Sequence, residues 1–194
     1  MMYSQGEEEK YILEACADIE HGQFLDIGAW HPVTFSNTRA LFELGWRGVL
    51  VEPSPGPLLN LLKEYGTSDR AWVIAAAVAS EHKTVRLYVS ADAVSTTVAP
   101  NYERWKTIAN YVGTLIVPTV TVAELCSQYG AFDMVSIDAE GMSVELLREL
   151  LKTEMRPRCI VVEHDGRMME TAAVAQPAYR RVYVNENNEV WVLK

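Results

Sequence analysis

Seven side chains capable of acid–base or oxygen-ligand chemistry stand where short apolar runs of this chain end: Asp26, Glu52, Asp138, Glu140, Glu163, His164 and Asp165. In a parallel sheet, ligands bind outside the carboxyl ends of the strands, so these residues are the ones to weigh. An acid ending the second strand, as Glu52 does, can accept hydrogen bonds from both hydroxyls of a ribose. Asp138, Glu140 and His164 are candidates for a base that takes a proton from an acceptor hydroxyl, and His164 has the best-matched ordinary pKa. Asp138, Glu140, Glu163 and Asp165 could together offer oxygens to Mg²⁺, although spacing alone assigns no metal ligand. Plainer roles compete. His164 would equally cap a strand end or bond a carbonyl, and Glu140 would equally brace its loop or cap the helix that follows.

The loop after the first strand narrows the cofactor. A dinucleotide site needs several glycines so that backbone can approach a pyrophosphate. Here only Gly28 is present, and Ala29, Trp30 and Pro32 would crowd a diphosphate. S-Adenosylmethionine has no phosphate and needs one close backbone approach, while Asp26 suits its ammonium or a water beside it. His31 reads as packing beside Pro32, and His21 and His82 as surface residues. Tyr102, Trp105 and Tyr111, with Asn101 and Asn110, suit a lid stacking on a sugar. The competing reading is a helix that packs Trp105 and Ile108 onto the sheet.

Strand-length apolar runs alternate with helical patterns, which predicts an α/β fold: a Rossmann-like, mostly parallel sheet with helices on both faces. Helices are expected over Glu7–Glu20, Thr38–Gly45, Pro57–Tyr65, Thr119–Gly130 and Ser143–Lys152. Strands are expected over Gly22–Ala29, Arg47–Pro53, Ala71–Ala79, Phe132–Gly141 and Arg158–Gly166. Lys83–Ser90 reads as a hairpin partner of the third strand or as an edge. Tyr179–Lys194 reads as a closing antiparallel hairpin turning at Asn185–Asn188. Ala91–Pro118 is the least legible stretch and reads as a mobile loop or lid.

The 194 residues suit one domain spanning 1–194. Seventeen Lys plus Arg against 26 Asp plus Glu give a net charge of −9, which disfavours a nucleic-acid partner. Cys16, Cys126 and Cys159 lack metal or redox spacing and read as reduced thiols in a cytoplasmic protein. The polar start is unlike a secretory signal, and no apolar run reaches membrane-spanning length. A homodimer could form at the edge near Lys83–Ser90 or at the closing hairpin.

Several segments together resemble one family. "YSQGEEEKYI", "FLDIGAWHPVTFSNTRALFELGWRGVLVEPSP", "TVTVAEL", "FDMVSIDAEGMSVELL" and "RPRCIVVEHD" are similar to the FkbM family of class I S-adenosylmethionine-dependent methyltransferases. The resemblance runs from Ser4 to about Asp165. It implies a seven-stranded sheet with its last strand antiparallel, and methyl transfer usually to oxygen, often on sugars or natural products. By position it sets Asp26, Gly28 and Ala29 around the methionine part, Glu52 at the ribose, Ala77 at the adenine and Asp138 toward the acceptor. Gln5 and Asn37 would complete the cofactor pocket, with Trp30 and Pro53 in its two loops. Trp30-His31-Pro32 departs from the commoner Asn-x-Gly of the family.

The function this implies is O-methylation of a hydroxyl on a sugar, glycan or glycosylated metabolite, with a small-molecule or glycan acceptor and S-adenosylmethionine as cofactor. The alternatives are an NAD-dependent oxidoreductase or epimerase, and a non-catalytic cofactor-binding module.

Overall fold

A computed structural model describes residues 2–194. The central strands are β1 (Gln23–Ile27), β2 (Arg47–Val51), β7 (Met134–Ile137) and β8 (Cys159–Glu163). They are short and almost wholly apolar because helices cover both of their faces. With β3 (Ala71–Ile74), β9 (Tyr179–Val184) and β10 (Asn188–Leu193) they form one seven-stranded sheet in the order β3-β2-β1-β7-β8-β10-β9. β10 runs antiparallel to both β8 and β9, while the other pairings are parallel. The chain leaves by β3 at one edge and returns at β7 beside β1. The carboxyl ends of β1 and β7 therefore flank the switch point where such sheets bind ligands.

The side chains of each strand alternate between two cores. Phe24, Leu50, Met134, Val161 and Val190 pack with Ile12 of α1 (Glu8–Ala15), Leu41 of α2 (Arg39–Glu43), and Leu61 and Tyr65 of α3 (Pro55–Tyr65). Leu25, Ile27, Val135, Ile137 and Val162 pack on the opposite face with Leu125 of α5 (Val122–Tyr129), Leu146, Leu147 and Leu150 of α6 (Ser143–Lys152), and Ala175 of α7 (Met168–Ala175). This alternation decides where the acids point. Asp26 shares a face with Phe24, and Asp138 continues the face of Met134 and Ser136.

The sheet and the antiparallel final strand agree with expectation, and three local readings change. The run Ala71–Ala79 is not one strand. It turns after Ile74, where the Ala76 amide donates to the Ile74 carbonyl at 3.1 Å, and β4 (Ala77–Val78) joins a second sheet. That sheet has the order β4-β6-β5, with β6 (Tyr111–Val120) antiparallel to β5 (Thr84–Ser90). Of the two readings of Lys83–Ser90 the edge strand holds: it lies at the edge of the small sheet, paired with a strand from the illegible stretch and not in a hairpin with the third strand. The stretch Ala91–Pro118 is ordered as a bridge from Thr96 to Tyr88, then α4 (Ala99–Trp105), then β6. Its pattern was masked because β6 buries little of its length and its alternation is broken by Gly113 and Pro118. α7 went unrecognised although Met, Glu and Ala dominate it, all favourable helix formers. Among the described residues, no helix is long and apolar enough to cross a membrane.

Candidate active site

At the β1–β7 switch point lies a cleft of about 480 Å³. All the residues expected at the cofactor or the reaction line it: Gln5, Asp26, Gly28, Ala29, Trp30, Asn37, Glu52, Pro53, Ala77, Asp138, Glu140 and His164. The sheet gathers them from six separate parts of the chain.

The first end of the cleft is built around Gly28. Its φ is +78°, and a Cβ there would stand 1.7 Å from the Asp138 carbonyl oxygen. The glycine is thus required by the β7 backbone before any ligand is considered. Beneath it, Asp26 is buried and accepts a hydrogen bond from Thr38 Oγ1 at 2.6 Å. Burial pushes the Asp26 carboxyl up to about 7, against the opposing effect of that hydroxyl and with help from Asp138 and Glu52.

Glu52 closes β2 and holds two loops. Its Oε1 accepts from the Ser54 amide at 2.7 Å and its Oε2 from the Trp30 amide at 3.1 Å. Burial raises its pKa while those amides oppose the rise. The Ser54 hydroxyl also bonds this carboxylate, whose remaining lone pairs are open to the cleft that Glu52 lines. The bulky loop is also explained. His31 Nδ1 accepts from the amides of Val33 and Thr34, Tyr65 donates to the Pro32 carbonyl, and Trp30 stacks on Phe35. These side chains shape the loop that extra glycines would otherwise leave free. Asn37 donates from Nδ2 to Ser136 Oγ at 3.2 Å, while its Oδ1 is buried without a partner.

At the other end, carboxyl groups crowd together. One oxygen from each of Asp138, Glu140 and Glu163 lies within 4.8 Å of the others. Asp165, next to them, accepts from the Gly141 amide at 3.0 Å. Asp138 is surrounded by protein, yet it is exposed because solvent reaches it along the cleft. Burial, as the leading cause, raises all four pKa values, and neighbouring carboxylates add to it for each cluster member. Glu140 and Asp165 both have left-handed backbone, with φ of 42° and 50°. Non-glycine residues hold that conformation only where surrounding contacts fix it. Here Thr96 Oγ1 donates to the Glu140 carbonyl at 2.7 Å, and Asn101 Nδ2 lies 3.4 Å from Glu140 Oε2.

His164 is placed differently from a free base. The Gly166 amide donates to its Nδ1 at 3.0 Å, so the neutral ring carries its proton on Nε2, which faces the Asn185 carbonyl at 3.2 Å. Both ring nitrogens are committed to backbone, and the ring ties the end of β8 to the β9–β10 turn. Glu140 does not cap α6. Among the described residues no side chain caps that helix: Ser143, its first residue, accepts from the Ala139 amide of the preceding loop at 3.0 Å, and Glu140 is held by α4.

The α4 side of the cleft carries Asn101, Arg104 and Trp105. Tyr102 faces elsewhere, stacked on Tyr88 at 4.3 Å with Tyr111 edge-on at 4.9 Å, and so anchors α4 to the small sheet. Ile108 is exposed and packs on nothing in the core. Arg104 was missed, as were Glu186 and Asn187 of the hairpin turn, because their approach depends on tertiary pairing. The turn is sewn to the start of the chain. Asn187 Nδ2 donates to Gln5 Oε1 at 3.1 Å, and buried Glu8 accepts from Asn185 and Asn188 at 2.7 and 2.9 Å.

This sheet order separates the chain from the dinucleotide fold, whose order is 3-2-1-4-5-6 without the inserted antiparallel strand. Residues 26–188 match the profile of the methyltransferase FkbM domain. The chain belongs to that family of methyltransferases. No curated protein sequence matches it. Among solved structures, a putative rRNA-methylase from Clostridium thermocellum is 11% identical at a TM-score of 0.52, covering 100% of this chain and 97% of the other. The S-adenosylhomocysteine-bound Podospora anserina methyltransferase PaMTH1 is 12% identical at 0.52, covering 96% and 78%. The N-methyltransferase NodS from Bradyrhizobium japonicum WM9 is 9% identical at 0.50, covering 96% and 93%. These likenesses show a Rossmann-like fold shared with methyltransferases.

Proposed function

We propose that the protein transfers a methyl group from S-adenosylmethionine to a hydroxyl of a sugar, glycan or glycosylated metabolite. The observation that carries this is one cleft with two chemically distinct ends meeting at Asp138. The residues present fit the cofactor. The unpartnered Asn37 Oδ1 and the nearby Asp26 carboxyl suit an ammonium, the free lone pairs of Glu52 suit ribose hydroxyls, and Ala77 leaves room for a flat base. When bound, S-adenosylmethionine supplies an activated methyl group on a sulfonium.

The chain's own task is then to position the acceptor and remove its proton. Asn101 and Trp105 offer an amide and an aromatic face of the kind that bind sugars. The carboxyl end of the cleft, entered at Asp138 and Glu140, is where the acceptor proton is lost. His164 serves as a brace. The net charge of −9 argues against a nucleic-acid acceptor, and the three free cysteines suit a reducing, cytoplasmic setting.

The test is calorimetric titration with S-adenosylmethionine, S-adenosylhomocysteine and NAD, followed by acceptor-dependent release of S-adenosylhomocysteine across glycosides, amino sugars and simple amines. Release with neutral glycosides supports the proposal. Release with amines alone would make the protein an N-methyltransferase, and binding without any release would make it a non-catalytic module.

A further inference from the structure

We infer that Asp138, Glu140 and Glu163 form a binding site for one divalent, oxygen-preferring cation at the acceptor end of the cleft. Ligand oxygens held about 2.1–2.4 Å from a shared ion stand at most about 4.8 Å apart. The three carboxylates meet that limit with one oxygen each. They come from the ends of two adjacent strands, β7 and β8, so the sheet fixes two of the three positions. The third, Glu140, is fixed by its left-handed backbone and by the Thr96 and Asn101 contacts described above.

Proximity of acids is insufficient alone, and a second observation concerns what those acids lack. Glu163 Oε2 is buried with no amide, hydroxyl or cation facing it, and so is Asp165 Oδ2 just beyond it. The only hydrogen-bonding neighbours of the Glu163 carboxyl among the described residues are the Asp138 and Asp165 carboxyls themselves. A buried carboxylate oxygen with neither donor nor cation is costly to keep. Among the described residues, no lysine or arginine forms an ion pair with any of the four acids. The nearby Arg167 is instead engaged by Glu145 and Glu170, at 2.7 and 2.8 Å. The cluster therefore presents carboxylate oxygens that no ion pair neutralises, with Arg104 acting on Glu140 and Arg167 on Asp165 only at longer range. That donor set selects Mg²⁺, Mn²⁺ or Ca²⁺ over zinc or copper.

An ion there would lie on the acceptor side of Asp138, where it could polarise a hydroxyl oxygen and make its proton easier to remove. This last role rests on the proposed methyl transfer. The site itself does not.

The test separates the two. Chelator-treated protein is titrated with Mn²⁺ at pH 7.5, following free Mn²⁺ by electron paramagnetic resonance, with competition by Mg²⁺ and Ca²⁺. S-Adenosylmethionine binding is measured in parallel by calorimetry. We expect one Mn²⁺ per chain, weakened about tenfold or more in Glu163→Gln and in Glu140→Gln, with cofactor affinity nearly unchanged in both. Glu140 is partly exposed, so its variant remains informative if Glu163→Gln fails to fold. Absence of saturable Mn²⁺ binding, or binding that both variants leave intact, overturns the cation site. Mn²⁺ binding without cofactor binding would instead preserve the site and sink the methyltransferase reading.

Discussion

The carbonyl oxygen of Asp138 occupies the place where a side chain on Gly28 would have to begin, 1.7 Å from its Cβ position. The loop after β1 and the loop after β7 are therefore in direct backbone contact. Gly28→Ala should cost about 2–5 kcal/mol, combining left-handed strain with overpacking. Thermal melting should show the loss, and S-adenosylmethionine binding should fall with it. An unchanged melt would mean that β1 and β7 can part without penalty.

Glu52 is expected to serve the fold and the ligand together. Glu52→Ala leaves the Trp30 and Ser54 amides without acceptors, a cost of about 1–3 kcal/mol for each that stays buried. Cofactor affinity should drop more than tenfold. Glu52→Gln keeps one acceptor oxygen and should recover part of the stability but little of the affinity. Equal affinity in all three proteins would remove Glu52 from the ribose site.

Asp26 should make stability depend on pH. Its carboxyl is pushed up to about 7 by burial, whereas the unfolded chain titrates near 4. The native state thus holds a proton that the unfolded chain has released. Its stabilising contribution is complete below about pH 4 and is lost as pH rises through about 7. Melting temperature should fall more steeply between pH 5 and 8 in the wild type than in Asp26→Asn, and that difference is the share due to Asp26. A cofactor ammonium favours the ionised form, so wild-type affinity should rise over the same interval. Parallel melting curves for the two proteins would refute the assignment.

His164→Ala distinguishes a brace from a base. Losing both ring contacts should lower stability by about 1–3 kcal/mol. The pH profile of methyl transfer should keep its shape in the folded variant. Disappearance of an ionisation near neutral pH would restore the histidine as the base.

Trp105→Ala and Asn101→Ala should raise the Michaelis constant for the acceptor while leaving calorimetric binding of S-adenosylmethionine unaltered. A matched loss of cofactor binding would place α4 over the nucleoside instead.

The sequence revealed the core strands because strands buried on both faces have little choice but continuous Val, Ile and Leu, as in "GVLVEP" and "CIVVEHD". The acids after them were visible for the same reason, since a polar residue ending such a run has few places to go but the strand end. The small sheet escaped because β6 is largely solvent-facing, and its partner could not be inferred from local pattern. The division of Ala71–Ala79 into two strands was illegible because Ala75 and Ala76 give no local signal of a turn. His164 was misleading in a different way. Its residue type fits a base, and only the Gly166 amide and the Asn185 carbonyl reveal that both nitrogens are already occupied.

The seam between Gln5 or Glu8 and the β9–β10 turn has a consequence in time. Glu8 and Asn188 are 180 positions apart, and the pocket wall that they tie together includes Gln5 and Asn187. A ribosome must release the chain through the β9–β10 turn before this wall can close. Until then the nascent protein has its first strands and its glycine loop, but not the enclosure that retains a ligand. Premature termination anywhere upstream of the final hairpin should therefore yield fragments that cannot sequester the cell's methyl donor.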